Sequence, residues 1–533
     1  MNIKKNIALL LCLILVILCG CNGANKNKPI QNGDDSSLTA GGKQINMLYS
    51  SKDTLNPYTC VTAQNTVLTQ LMYDSLVVLK NDYKTEYEIA KSITYNDKVL
   101  VIELDSLVFS DATPLTAADV VFSFNLAKES KAYSSSLAYA VSAEASGTRT
   151  VTITLSRDDP YFVNLLTFPI IKSGSDTLTD SDNRLLPPIG TGLYVFNIEE
   201  KKLNANNKHT GVTPTVTTIM LTDCPDDEAV NQTLSTGAID IYFTDLTDNV
   251  IPKMNGTTAD LPQSRMLFLG VNPKSPRVAN VYFRQAVSAA LNRSEICTTA
   301  YYSKAEAAKG PYPSAWEEVA NLQSIEVKPN IDTVHSNVLL AGFGEKNEDG
   351  FYVAKNNEPI TLTLLASSDN LCRVSAANII KKNLENAGIK INLVTADNSG
   401  YRRELLSGGY DIYLGEVNFH NNLDLGPLVN LNSAWHLLNK SSVISPTTSA
   451  TNSANVSSVT ISDTVVSNLT TADVYKGFYS GTYTVKDLAA TFSAELPVIP
   501  VCFGSGLLIY SDKLGKGLEP TISDIFYNLE NIK

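Results

Sequence analysis

The sequence predicts an α/β protein with more than one domain. Strand-like and helix-like segments alternate along the chain without a repeating period, and 533 residues suffice for two or three substantial cores. A hydrophobic content of 44% and a mean hydropathy of -0.03 describe a globular body. Residues 98–104 (KVLVIEL), 150–155 (TVTITL) and 360–365 (ITLTLL) alternate as half-buried strands do. Residues 116–128 form a helix opened by Thr116 with Asp119 three positions on, the acidic form of a capping box. A second helix at 375–387 stops at Gly388, and a third covers 283–296. Residues 439–471, low in charge and poorly periodic, read as irregular surface structure with short strands.

The amino end reads as an export signal. Lys4 and Lys5 lead an apolar run over 7–18, short of the ~20 residues a bilayer-crossing helix needs, which makes 1–20 a signal peptide. The closing Leu18-Cys19-Gly20-Cys21 resembles a bacterial lipobox, and cleavage after Gly20 would leave Cys21 to carry the lipid. The alternative is ordinary cleavage with Cys21 incidental. Residues 21–43, rich in Asn, Gly, Ser and Lys, read as a flexible tether. The expected location is the outer face of the cytoplasmic membrane, on the periplasmic side where the host has an outer membrane.

Charge and chemistry exclude several classes. The net charge is -12, and removing Lys4 and Lys5 takes the mature body to -14, which argues against nucleic acid as a partner. Five cysteines remain beyond the signal and Cys21: Cys60, Cys224, Cys297, Cys372 and Cys502, far apart and without CxxC. They read as buried free thiols, with one disulfide as the alternative. The four histidines fall in no HExxH and near no GxSxG. No cofactor, metal or catalytic set is expected. Arg284 and Arg293 read as solvated or in ion pairs, Phe283, Val287, Ala290 and Leu291 as core, and Gly190 and Gly192 as glycines needed for backbone conformation.

The order of motifs then becomes informative. MYDSLVVL at 72–79, IAKSITYND at 89–97 and VFSDATPLTAADVVFSF at 108–124 are followed by GTGLYVF at 190–196 and FLGVNPKSPRVANVYFRQAVSAALNRSEI at 268–296. GIKINLVT at 388–395, LLSGGYDIYLGE at 405–416 and ELPVIPVCFGSGLLIY at 495–510 continue the series. In this order they resemble the family 5 extracellular solute-binding proteins, the oligopeptide- and dipeptide-binding group of ABC importers.

The resemblance implies a periplasmic-binding-protein-like fold (type II, cluster C): two α/β lobes around a ligand cleft, with an extra subdomain in the first. Lobe one would be 44–76, 187–269 and 486–533, the inserted subdomain 77–186 and lobe two 270–485. The implied function is capture of peptides by lobe closure and delivery to a membrane permease served by cytoplasmic ATPases, the protein itself being a lipid-anchored monomer and not an enzyme. A non-peptide solute (a metal complex or oligosaccharide), a peptide-signal receptor and an exported hydrolase are the alternatives. Relatives commonly hold a peptide's α-amino group with an acidic residue in a Gly-Trp-x-x-Asp pattern. This chain departs from it, reading YLGEVNFHNNLDLGP after Ile412, so Glu416 or Asp424 is the candidate substitute and Asn418 and His420 are candidate neighbours. Asn56 and Tyr58 in an early loop, Trp435 and Phe503 complete the candidate cleft residues.

Overall fold

The computed structural model describes residues 43–209, 214–247, 250–429, 460–461, 464–465, 469–515 and 518–531. The predicted signal peptide, Cys21, Trp435 and most of 439–471 lie outside them. Strand β1 (Lys43–Tyr49) buries Ile45, Met47 and Leu48 and is followed by helix α1 (Ala63–Met72). The hairpin β2 (Val77–Leu79) and β3 (Thr85–Tyr87) leads into β4 (Ala90–Asn96) and β5 (Val99–Leu104), whose buried and exposed residues alternate as the sequence predicts. Helix α2 (Ala117–Glu129) has both halves of its capping box, with Thr116 Oγ1 and N donating to Asp119 at 2.6 and 2.9 Å. Strands β6 (Ala140–Ser146) and β7 (Thr150–Leu155) complete an antiparallel sheet of order β4-β5-β7-β6.

Strands β8 (Tyr194–Asn197), β9 (Lys202–Ala205) and β10 (Val216–Asp223) then return to β1, giving the order β1-β10-β9-β8 with β1 and β10 parallel. Gly190 and Gly192 precede β8, and neither is left-handed. Space demands them instead: a Cβ on Gly192 would lie 2.3 Å from the carbonyl carbon of Met72, and one on Gly190 2.3 Å from its oxygen. This sheet and the inserted one share a core, where Ile45 and Leu68 join Phe124 and Phe168.

After α3 (Asp227–Ser235) and β11 (Ile241–Thr244) comes the long β12 (Thr257–Val271). It lies inside a seven-stranded sheet built with β11, β13 (Ala305–Ala307), β14 (Thr361–Ser367), β15 (Lys390–Ala396), β16 (Ile412–Asn418) and the last strand, β19 (Val498–Tyr510), in the order β11-β19-β12-β16-β14-β15 with β13 on β19. A short hairpin of β17 (Thr460–Ile461) and β18 (Thr464–Val465) precedes β19 (Val498–Tyr510). Strands β12 and β19 are shared. Their outer halves pair beside β11, their inner halves beside β16, and the register between them shifts between Pro262 and Met266. Pro262 has no N–H to give the ladder, so a bulge falls there.

The predicted helix at 283–296 is two pieces. Helix α4 (Val281–Ala290) stops at Leu291, whose ψ of 131° is extended, and the chain turns again from Arg293 under an Asn292 cap. Phe283, Val287, Ala290 and Leu291 are fully buried. The arginines depart from expectation. Arg293 is 0% exposed and donates to the carbonyls of Pro500, Ser288 and Glu326, while Arg284 donates to those of Glu495, Leu496, Val278 and Ala279. The break after Ala290 aims Arg293 inward, and backbone acceptors take the place of an ionic partner. Helix α5 (Ile331–Leu340) follows, then α6 (Leu371–Ala387). The latter starts four residues before the sequence suggests, because Asn370 caps it by accepting from Arg373 N, and it ends as expected at Gly388 with φ 100°. Helices α7 (Asn398–Ser407), α8 (Thr471–Phe478) and α9 (Val485–Glu495) follow, α8 and α9 each with a Thr/Asp capping box. Cys224, Cys297, Cys372 and Cys502 are buried free thiols, and Cys60 is a half-buried one.

Candidate functional site

The inserted segment meets the second lobe where β16 ends. The loop after Asn418 runs against the segment following β7, and an apolar cluster there joins Leu79 and Tyr83 of the insert to Trp316, Val474 and Phe478. Trp316 is its centre: the Tyr161 and Tyr312 rings each stand edge-on 4.9 Å from it, and Tyr83 lies at 6.5 Å. The Tyr83 hydroxyl reaches Ser264 Oγ at 3.0 Å, in the bulged stretch of β12.

Beside the aromatics lies a charged set. Arg157 donates to Asp424 Oδ2 at 2.5 Å and to the Tyr475 hydroxyl at 3.1 Å, while its guanidinium is sandwiched between the Tyr139 and Tyr479 rings at 3.4 and 3.5 Å. Asp424 Oδ1 accepts from Tyr475 at 2.8 Å and from Gly426 N at 2.8 Å. Asp159, 1% exposed, accepts from Asn422 Nδ2 at 2.8 Å, and Asn164 Nδ2 donates to the Asn421 carbonyl. Burial pushes the Asp159 carboxyl up to about 6, against the pull of Asn422 and Arg157. Burial also holds His420 below the usual histidine range, with Asp424 opposing it.

The other predicted residues are elsewhere. Glu416, on β16, pairs with Arg373 of α6 at 2.9 Å. Asn418 is exposed at the end of β16, opposite Arg265 of β12. Asn56 closes its own turn by accepting from Tyr58 N, and Tyr58 is buried in the first-lobe core with its hydroxyl on the Pro169 carbonyl. Phe503 is 3% exposed and packs in the junction cluster, at the register shift of β19. Thus Asp424, Asn421 and Asn422 come together with the insert, His420 sits beside them in the same loop, Glu416 pairs with a different arginine, and Tyr58 is core.

Arg157, Asp159, Trp316 and Tyr479 were not singled out in the sequence. The signals available were weak: one of two tryptophans, and an Arg-Asp-Asp run after a strand. Arg265 is a fourth. It is 6% exposed, donates to Thr247 Oγ1 and the Leu246 carbonyl, and lies so close to Gly504 that a Cβ there would meet it at 2.8 Å. Among the described residues no group of three or more His, Cys, Asp or Glu side chains is placed to hold a metal ion, and no helix is long and apolar enough to cross a membrane. The junction thus combines aromatic faces and paired charges beside a two-stranded connection between lobes.

Comparison with known proteins gives the family. Residues 84–436 match the family of bacterial extracellular solute-binding proteins, family 5, in its middle region. The chain is 24% identical over 426 residues to the oligopeptide-binding protein AppA of Bacillus subtilis, covering 73% of this chain and 76% of that one. It is 26% identical over 336 residues to heme-binding protein A of Haemophilus influenzae, covering 56% and 58%. The fold is similar to the crystal structure of a nickel ABC transporter from Bacillus halodurans, with a TM-score of 0.68 at 17% identity over 91% of this chain and 98% of that one. With the two lobes, their shared strands and this match in place, the chain belongs to the bacterial extracellular solute-binding proteins, family 5.

Proposed function

We propose that the protein is the substrate-binding lipoprotein of an ABC importer, anchored through Cys21, which captures peptides between its lobes and hands them to a membrane permease. One observation carries the reading. The lobes are joined by neighbouring strands β12 and β19, whose ladder is interrupted at 263–265, so the connection can bend there while the outer and inner halves keep their pairing. A ligand seated between the lobes favours the closed arrangement by its contacts to both, and that shape is what a permease recognises. The likeness to an oligopeptide-binding protein over 73% of the chain supports a peptide as the solute.

A non-peptide solute is the second reading, favoured by the likeness to a heme-binding protein and to a nickel transporter's fold. Native mass spectrometry of the mature protein tests both. A retained mass that fragments as peptide, together with a melting temperature raised by mass action when that peptide is added, is the expected result. A retained metal complex or sugar, with a peptide library leaving the melting temperature unchanged, overturns the peptide reading.

A further inference from the structure

A ligand that enters amino group first needs a carboxylate to receive its ammonium, since an uncompensated cation out of water is costly. The carboxylates the sequence offers for that purpose already have cations from within the chain. Glu416 has Arg373 at 2.9 Å. Asp424 has Arg157 at 2.5 Å, and its other oxygen is held by a tyrosine hydroxyl and a backbone N–H. The surroundings of Arg157 are those of a built cation site: two aromatic faces, a carboxylate and a phenol oxygen. Asp424, Tyr475 and Tyr479 belong to the second lobe, whereas the cation comes from the insert, so the chain supplies from within the group that a ligand's ammonium would otherwise bring to Asp424.

We propose that Arg157 is a resident cation that occupies Asp424 and makes ligand recognition independent of a free α-amino group. The solutes selected are then peptides blocked at the amino end, cyclic, or held through their interior. This rests on the peptide reading above. Asp159 does not reopen the amine route, being 1% exposed and bonded to Asn422 and to Tyr161 N.

The test compares a peptide that binds with its N-acetylated form, on wild type and on Arg157→Ala, by calorimetry. Wild type is expected to bind the two within about threefold, and Arg157→Ala to prefer the free amine by about tenfold or more, because Asp424 is then vacant. A wild-type preference of about tenfold for the free amine overturns the proposal, as does an unchanged ratio in the variant. If no peptide binds either protein, the peptide reading fails by itself and chemical rescue decides the resident cation. Millimolar n-propylguanidinium should then raise the melting temperature of Arg157→Ala and leave wild type unmoved; no difference between the two overturns it. Arg157→Gln, which keeps more of the side-chain volume, replaces the alanine variant should that one not fold.

Discussion

Asp159 and Asn422 share a hydrogen bond of 2.8 Å across 263 residues of sequence, joining the insert to the second lobe inside a dry junction. Protonation of Asp159 is favoured by that burial, its pKa rising from 3.8 to about 6. A carboxyl raised in the folded state stabilises fully below the unfolded value, and that contribution is lost as pH climbs through the folded one. Asp159→Asn should therefore gain on wild type between pH 4 and pH 7, by up to about 3 kcal/mol. Urea unfolding across that range checks it, and a difference independent of pH would sink the assignment.

Trp316 is 5% exposed and touches rings from both the insert and its own lobe. Trp316→Ala should cost about 3–5 kcal/mol, and Trp316→Phe clearly less. A loss under 1 kcal/mol in thermal or urea unfolding would show that the cluster contributes little.

Glu416→Gln leaves Arg373 without its charge partner at a site where the two side chains are 15% and 25% exposed. The expected cost is about 2 kcal/mol, between that of a surface pair and a buried one. Adding Arg373→Met should recover part of it. If the double variant is less stable than Glu416→Gln alone, the two residues are not the coupled pair described.

Gly192→Ala must push its Cβ into the Met72–Tyr73 peptide, with three backbone atoms at 2.3 to 2.6 Å, and should cost at least about 3 kcal/mol. Gly147→Ala meets nothing within 4 Å and strains only a φ of 67°, so about 1–2 kcal/mol is expected. Melting temperatures in the opposite order would contradict the account of these glycines.

On the proposed anchoring through Cys21, Cys21→Ser should release the protein from membranes or halt its processing, because a single thiol would carry the lipid. Fractionation of the variant like wild type would leave the lipid assignment without support.

What the sequence revealed was local. The Thr116–Asp119 cap, the Gly388 stop and the alternation in β5 and β7 each depend on neighbours within a few positions, and each appears where the pattern places it. What it hid were partners made of backbone. Arg284 and Arg293 read as solvated or in ion pairs because carbonyls such as those of Pro500 and Glu495 have no signature in a side-chain pattern. Tyr58, with an apolar body and a polar tip, suits a cleft or a core equally, and its choice was made by the Pro169 carbonyl. Among the candidate site residues the loop holding Asp424 was legible by position, but its partner lies 267 residues away and no motif links them.

The first lobe is stitched from both ends of the chain. Ile525 N donates to Gln70 Oε1 and Leu79 N to Ser523 Oγ, spanning 455 and 444 residues, and Leu529 enters the same core as Ile45. Closing such loops is slow relative to local condensation. Both lobes depend on late pairing, since β19 closes the large sheet against β12 and residues 523–529 close the first-lobe core, whereas the hairpins of the insert condense from near neighbours.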